Sequence, residues 1–290
     1  MIMHPTTVRC ERNEESQIGR LIIARPDAEN AISIEMVDLL LQGLDHFAKD
    51  DDVKVIVISA EGSDLTSGFD PSQVELIYKS APGGAVKKVP SQRARLMALN
   101  SLWWGPDGLY TRILHSPKVT ILAAKGMCYE VGLYLTLCCD LVLADCSARF
   151  ANPRWRHVGV DGDLSMLVSA VGLKRAKGLL IFGETWSASQ AHSYGLIDEL
   201  FDVQDLESEV LKLATFCTQV MRDGIAAEKH VVFASLAKMQ ITTGFAAATA
   251  VGAWASNLHF RDGEFNFLRE VRTHGLENAL RTAESYFSAS

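Results

Sequence analysis

The sequence predicts an α/β protein, and three observations carry that prediction. Residues 53–59 (VKVIVIS) and 118–125 (KVTILAAK) are short, rich in β-branched residues and apolar on both faces, as strands buried within a parallel sheet are. Segments with a helical period alternate with them, which is the α/β signature. From residue 205 onward the pattern is almost entirely helical.

Taken in order, residues 20–25 (RLIIAR) read as a strand ended by Pro26 and Asp27. Ser33 caps a helix in which Ile34, Val37, Leu41, Leu44 and Phe47 recur near the helical period. Glu61, Gly62 and Ser63 form a turn after the next strand. Ser67, Gly68 and Phe69 lead into Asp70 and Pro71, an N-cap followed by proline at the first helical position. Residues 80–90 (SAPGGAVKKVP) break the pattern and read as a mobile surface loop. A helix carrying Trp103 and Trp104 follows, interrupted by Gly105 and Pro106. After the strand at 118–125, Gly126 opens a turn, residues 132–139 are short and apolar, and 140–145 (DLVLAD) resume strand character. A helix over 164–171 ends at Gly172. Two domains are expected, a core over 1–202 and a helical unit over 203–290.

A chain of 290 residues is long enough to bury a full core, and its 48% hydrophobic and 22% charged fractions are ordinary for a globular protein. A net charge of −7 argues against a sequence-independent grip on nucleic acid or anionic lipid. No stretch approaches the ~18 uninterrupted apolar residues of a membrane span, and residues 1–16 have no apolar signal core. The expected location is the cytoplasm. Six cysteines without C-x-x-C spacing are expected to be reduced thiols, with no metal and no disulfide.

Two buried strands each run through a glycine-containing turn into a helix start, where backbone N–H groups lack intrahelical partners. Two such starts aimed at one point stabilise an oxyanion without any side chain. Four blocks then fall in a familiar order: RPDAENAIS at 25–33, SAEGSDLTSGFDPS at 59–72, KGMCYEVGLYLTLCCDLVLAD at 125–145 and GETWSASQAHSYGLIDELF at 183–201. Over about residues 18–202 the chain resembles the crotonase (enoyl-CoA hydratase/isomerase) superfamily. That resemblance implies a spiral core of ββα turns, a C-terminal helical trimerisation domain and an acyl-CoA substrate. Coenzyme A would come as part of the substrate, with no separate cofactor, and the assembly would be a homotrimer or homohexamer. A trimer is also suggested by the apolar character of residues 225–258, whose FAAATAVGAWA run is rich in small residues.

Position by position, the resemblance implies oxyanion donors at the N–H groups of Phe69 and Val131. Val131 stands where the family has the middle glycine of three, so Gly132 beside it remains an alternative donor. Ala28, Ser67, Gly68 and Asp70 would lie along the substrate, with Gly132 and Trp155 completing the pocket. Both hydratase glutamates are replaced, by Tyr134 and by Arg154 after Pro153, and neither supplies a carboxylate. Asp163 matches a functional aspartate of several relatives, among them dienoyl-CoA isomerases and 4-chlorobenzoyl-CoA dehalogenases. Two readings of it stand: a catalytic carboxylate, and a plain cap of the helix over 164–171. Glu130 is read as a turn carboxylate facing solvent, and His157 as a polar loop residue.

The function expected is therefore action on an acyl-CoA thioester through a backbone oxyanion hole, with Asp163 transferring a proton in an isomerisation rather than ordinary hydration. Hydrolysis of a carbon–carbon bond in a cyclic β-diketone is one alternative. A non-catalytic acyl-CoA-binding scaffold is the other.

Overall fold

In the computed structural model, which describes residues 7–13, 16–73, 91–153, 164–254 and 258–288, strands β1 (Val8–Asn13) and β2 (Ile18–Ile23) pair antiparallel. Strands β3 (Val55–Ala60), β4 (Val119–Ala124), β6 (Leu141–Asp145) and β9 (Glu199–Phe201) extend the sheet in parallel, in the order β1-β2-β3-β4-β6-β9. Ile18 pairs with Val55, Val55 with Val119, and Ile121 with Leu141. A second sheet combines β5 (Met127–Tyr129), β7 (Arg149–Ala151) and β8 (Trp186–Ser187) in the order β5-β7-β8.

The apolar central strands divide their side chains by the two-residue period. Ile56, Ile58, Leu122, Ala124, Val142 and Ala144 enter the main core. Val55, Val57, Ile121, Ala123 and Leu143 form a smaller one on the opposite face. Helix α1 (Ile34–Lys49) starts at Ser33, whose Oγ accepts from the Met36 N–H, and it buries Met36, Val37, Leu40, Leu44 and Phe47 in the main core. Helix α2 (Gln92–Leu102) begins at a Ser91 cap, and α3 (Leu109–Leu114) follows. Trp103 and Trp104 lie just beyond α2. The chain turns back there, with Gly105 N–H donating to the Asn100 carbonyl, and a Cβ at Gly105 would stand 2.3 Å from that oxygen.

Helix α4 (Val131–Cys138) is apolar all round and buried throughout. Helices α5 (Leu164–Val171), α6 (Leu173–Lys177) and α7 (Ala188–Ser193) lead to β9; Ser187 and Gln190 form a capping box on α7. Helix α8 (Leu206–Cys217) lays Leu206, Val210, Ala214 and Cys217 over the smaller core, closing the second face of the sheet. The chain ends in α9 (Arg222–Lys238), α10 (Thr243–Trp254), α11 (Phe267–His274) and α12 (Leu276–Ser288). In α10, Phe245, Ala248 and Ala253 are buried in this chain's own main core. One face of the small-residue run is thus turned inward, while Ala246 and Ala247 on its other side are exposed. Among the described residues no single helix is long and apolar enough to cross a membrane. The loop expected at 80–90 and the positions Arg154, Trp155, His157 and Asp163 lie outside the described residues.

Candidate active site

The loop carrying Ser67, Gly68 and Phe69 is threaded between two other segments. On one side, Ser67 N–H donates to Glu29 O (3.0 Å), Ile32 N–H to Gly68 O (2.8 Å) and Asp70 N–H to Ile32 O (2.9 Å). On the other, Thr66 N–H donates to Met127 O (2.8 Å) and Tyr129 N–H to Thr66 O (3.1 Å). Residue 69 meets Ile32 through a parallel bridge that uses its neighbours' groups, Gly68 C=O and Asp70 N–H. The N–H of Phe69 therefore faces away from Ile32, toward the start of α4. Gly68 makes this bend at φ +113°, a conformation that favours glycine.

Asn30 and Asp70 hold the loop's two ends. Asn30 accepts from Arg25 N–H and donates to the carbonyls of Glu61 and Asp64, each at 2.8 Å. Asp70 accepts from Arg25 Nη1 (2.7 Å) and from the N–H (2.9 Å) and hydroxyl (2.6 Å) of Ser72. Burial pushes the Asp70 carboxyl up, but the Ser72 hydroxyl, the Arg25 guanidinium and the Ser72 N–H outweigh it and leave it below the usual carboxylate range. Its stabilising contribution is present above that ordinary range and is lost as pH falls through the lowered value.

The Phe69 N–H has an acceptor: Oε2 of Glu130, at 3.1 Å. Glu130 is 8% exposed, so the expectation of a solvent-facing turn carboxylate is wrong. It stands one residue before α4 at φ +46° and ψ −97°, which turns its side chain inward across the site. Because a side chain from residue 130 bridges to Phe69, the N–H groups of Val131 and Phe69 lie within one side chain's length of each other. The first-turn N–H groups of α4, Val131's among them, have no acceptor inside the helix. Val131 itself is fully buried. Gly132 is where bulk is refused, since a Cβ there would stand 3.0 Å from Thr66 Cγ2.

An aromatic cluster lies beneath. Phe69 meets Trp103 edge-on at 5.8 Å, Trp103 stacks on Tyr110 at 5.2 Å, and Trp104 stacks on Phe245 at 4.4 Å. Tyr134 packs against Trp104 and Tyr110 and is 0% exposed; its hydroxyl accepts from Asn152 Nδ2 at 3.0 Å.

The enoyl-CoA hydratase/isomerase family pattern matches residues 13–274. The chain belongs to that family. Within the crotonase superfamily, it is 29% identical over 204 residues to 4-chlorobenzoyl coenzyme A dehalogenase-2 of Arthrobacter sp, covering 68% of this chain and 67% of that one. It is 27% identical over 257 residues to the mitochondrial enoyl-CoA hydratase domain-containing protein 3 of Mus musculus, covering 87% and 78%. The fold is similar to that of an enoyl-CoA hydratase/isomerase from Xanthobacter autotrophicus Py2, with a TM-score of 0.79, 23% identity and coverage of 97% and 98%.

The fold brings Ser67, Gly68, Phe69, Asp70, Val131 and Gly132 together, and Ala28 lies on the adjoining 3₁₀ turn Pro26–Ala28. Asp163 and Trp155 fall outside the described residues. Glu130 is the residue that sequence reasoning misplaced. Its available signal was a charged residue where the family pattern has the first of three glycines.

Proposed function

We propose that this protein binds an acyl-CoA thioester and transfers a proton on its acyl chain, with the carbonyl oxygen shared by the N–H groups of Phe69 and Val131. The observation that supports this reading is the direction of the Phe69 N–H, turned away from its ladder toward the start of α4, where an oxygen acceptor already sits. Ala28, Ser67, Gly68, Asp70, Gly132 and Trp155 would line the thioester's path. Ordinary hydration is disfavoured, because Tyr134 is committed to Asn152 inside the aromatic cluster and Arg154 has no carboxylate. The nearby aromatic side chains suit a ring or a bulky hydrocarbon better than a short chain. Asp163 is the carboxylate that the sequence offers for the proton, and assembly into trimers or hexamers belongs to the same reading.

Calorimetric titration tests the substrate class: phenylacetyl-CoA should bind and free phenylacetate should not. Crotonyl-CoA hydration should stay below about 0.1 s⁻¹, against roughly 1–10³ s⁻¹ for typical enzymes. Asp163→Asn should lower thioester turnover about 10²-fold with little change in melting temperature. Absence of any acyl-CoA binding refutes the proposal.

A further inference from the structure

We propose that Glu130 is a catalytic carboxylate of this site, taking a proton from the acyl chain once the thioester oxygen has displaced it from the Phe69 N–H. The inference rests on the acyl-CoA reading above and assigns a second acid to it. Three observations carry it. The first is position: Glu130 Oε2 lies 3.1 Å from the N–H that would receive the carbonyl oxygen.

The second observation is conformation. A side-chain-bearing residue at φ +46° and ψ −97° is held in a backbone state that such residues rarely adopt, and strain of this kind collects at functional sites. It is imposed from both sides, by Glu130 N–H donating to Ala151 O (2.9 Å) and by Glu130 O accepting from Tyr134 N–H (3.0 Å). The third is space: a Cβ on residue 68 would stand 2.8 Å from Oε2 and 3.0 Å from Glu130 Cβ, so Gly68 leaves room for the carboxylate.

The geometry sets the step. When a thioester oxygen takes the Phe69 N–H, the carboxylate is pushed aside but stays tethered to residue 130. The α-carbon lies two bonds from that oxygen, within reach of the displaced carboxylate. The carboxylate takes the α-proton. The C–H electron pair becomes the new C=C bond, and the carbonyl π pair moves onto oxygen, where Phe69 N–H and the start of α4 hold the charge. Glu130, now a carboxylic acid, returns the proton to the α-carbon or, in an unsaturated chain, to the γ-carbon. No oxidant or second reactant is required.

The test incubates the protein with phenylacetyl-CoA or 3-butenoyl-CoA in D₂O and follows deuterium entry by mass spectrometry beside calorimetric Kd values. Glu130→Gln preserves size and an acceptor for Phe69; it should bind both thioesters within about 3-fold of wild type and lose about 10²-fold or more in exchange. Glu130→Gly removes the internal competitor, so exchange should fall while affinity rises, a combination that a merely structural role does not produce. Should Glu130→Gln fail to fold, the glycine variant carries the same comparison. Wild-type exchange in either variant overturns the inference and leaves the acyl-CoA reading standing, as does loss of binding in Glu130→Gln. Wild-type protein that binds neither thioester overturns both readings; wild-type protein that binds but never exchanges overturns the proton-transfer step and this assignment with it.

Discussion

Glu130 holds a backbone conformation costing a side-chain-bearing residue on the order of 1–3 kcal/mol, and alanine and glycine variants separate that cost from the carboxylate's hydrogen bond. Both substitutions remove the bond to Phe69, but only glycine relieves the backbone. Glu130→Ala should therefore unfold more easily than Glu130→Gly, by about 1 kcal/mol after glycine's greater entropy loss is set against the relief. Urea denaturation of the two variants measures the difference, and equal midpoints would mean that residue 130 is unstrained. At this scale the sequence was half legible. Gly68 announced the bend and Asp70 a cap: Asp70 does accept from the Ser72 N–H at the 3₁₀ turn Pro71–Gln73, and the helix expected beyond it lies outside the described residues. The inward path of Glu130 was not legible, because it depends on the pairing of Phe69 with Ile32 and of Glu130 with Ala151, contacts between segments far apart in the chain.

Elements were easier to read where one period dominated. Ser33 and the apolar stripe behind it specify α1, and the two-faced apolar strands specify the sheet interior. Strand ends moved by a residue or two; the strand read at 20–25 runs from Ile18 to Ile23, since Arg25 is occupied by Asn30 and Asp70. Lysine contacts that fasten the C-terminal helices have no periodic signature. Lys54 Nζ donates to the carbonyls of Thr218 (2.8 Å) and Val220 (3.1 Å) at the end of α8. Lys229 in α9 donates to Lys118 O (2.9 Å) and to Asp140 Oδ2 (2.5 Å), an oxygen that also accepts from the Thr120 N–H. Lys229→Met keeps the aliphatic stem and removes the charged head. It should cost about 1 kcal/mol and speed amide exchange across α9 first. Unchanged exchange there would show that α9 is held by its apolar contacts alone.

For the whole molecule, the α/β class and the C-terminal helical run were legible because each rests on a long, repeated pattern. Which way those helices face was not. Phe245, Ala248 and Ala253 of α10 pack into the main core, and α8 seals the opposite side of the sheet. A fragment ending at residue 202 would lack both, leaving Val55, Val57, Ile121, Ala123 and Leu143 without Leu206, Val210, Ala214 and Cys217 over them. Bare apolar faces of this kind promote aggregation. The fragment should collect in inclusion bodies, and recovery of soluble, cooperatively melting 1–202 would contradict this.

The same arrangement has a consequence during synthesis on the ribosome. The last residue of β6 is Asp145 and the first of α8 is Leu206, so about sixty codons separate the strand from the helix that shields it. At about 5–20 residues per second, the growing chain carries an open sheet face for roughly 3–12 s. During that interval the nascent chain carries an apolar surface open to association with other chains, and slowing translation between these two elements would lengthen its exposure.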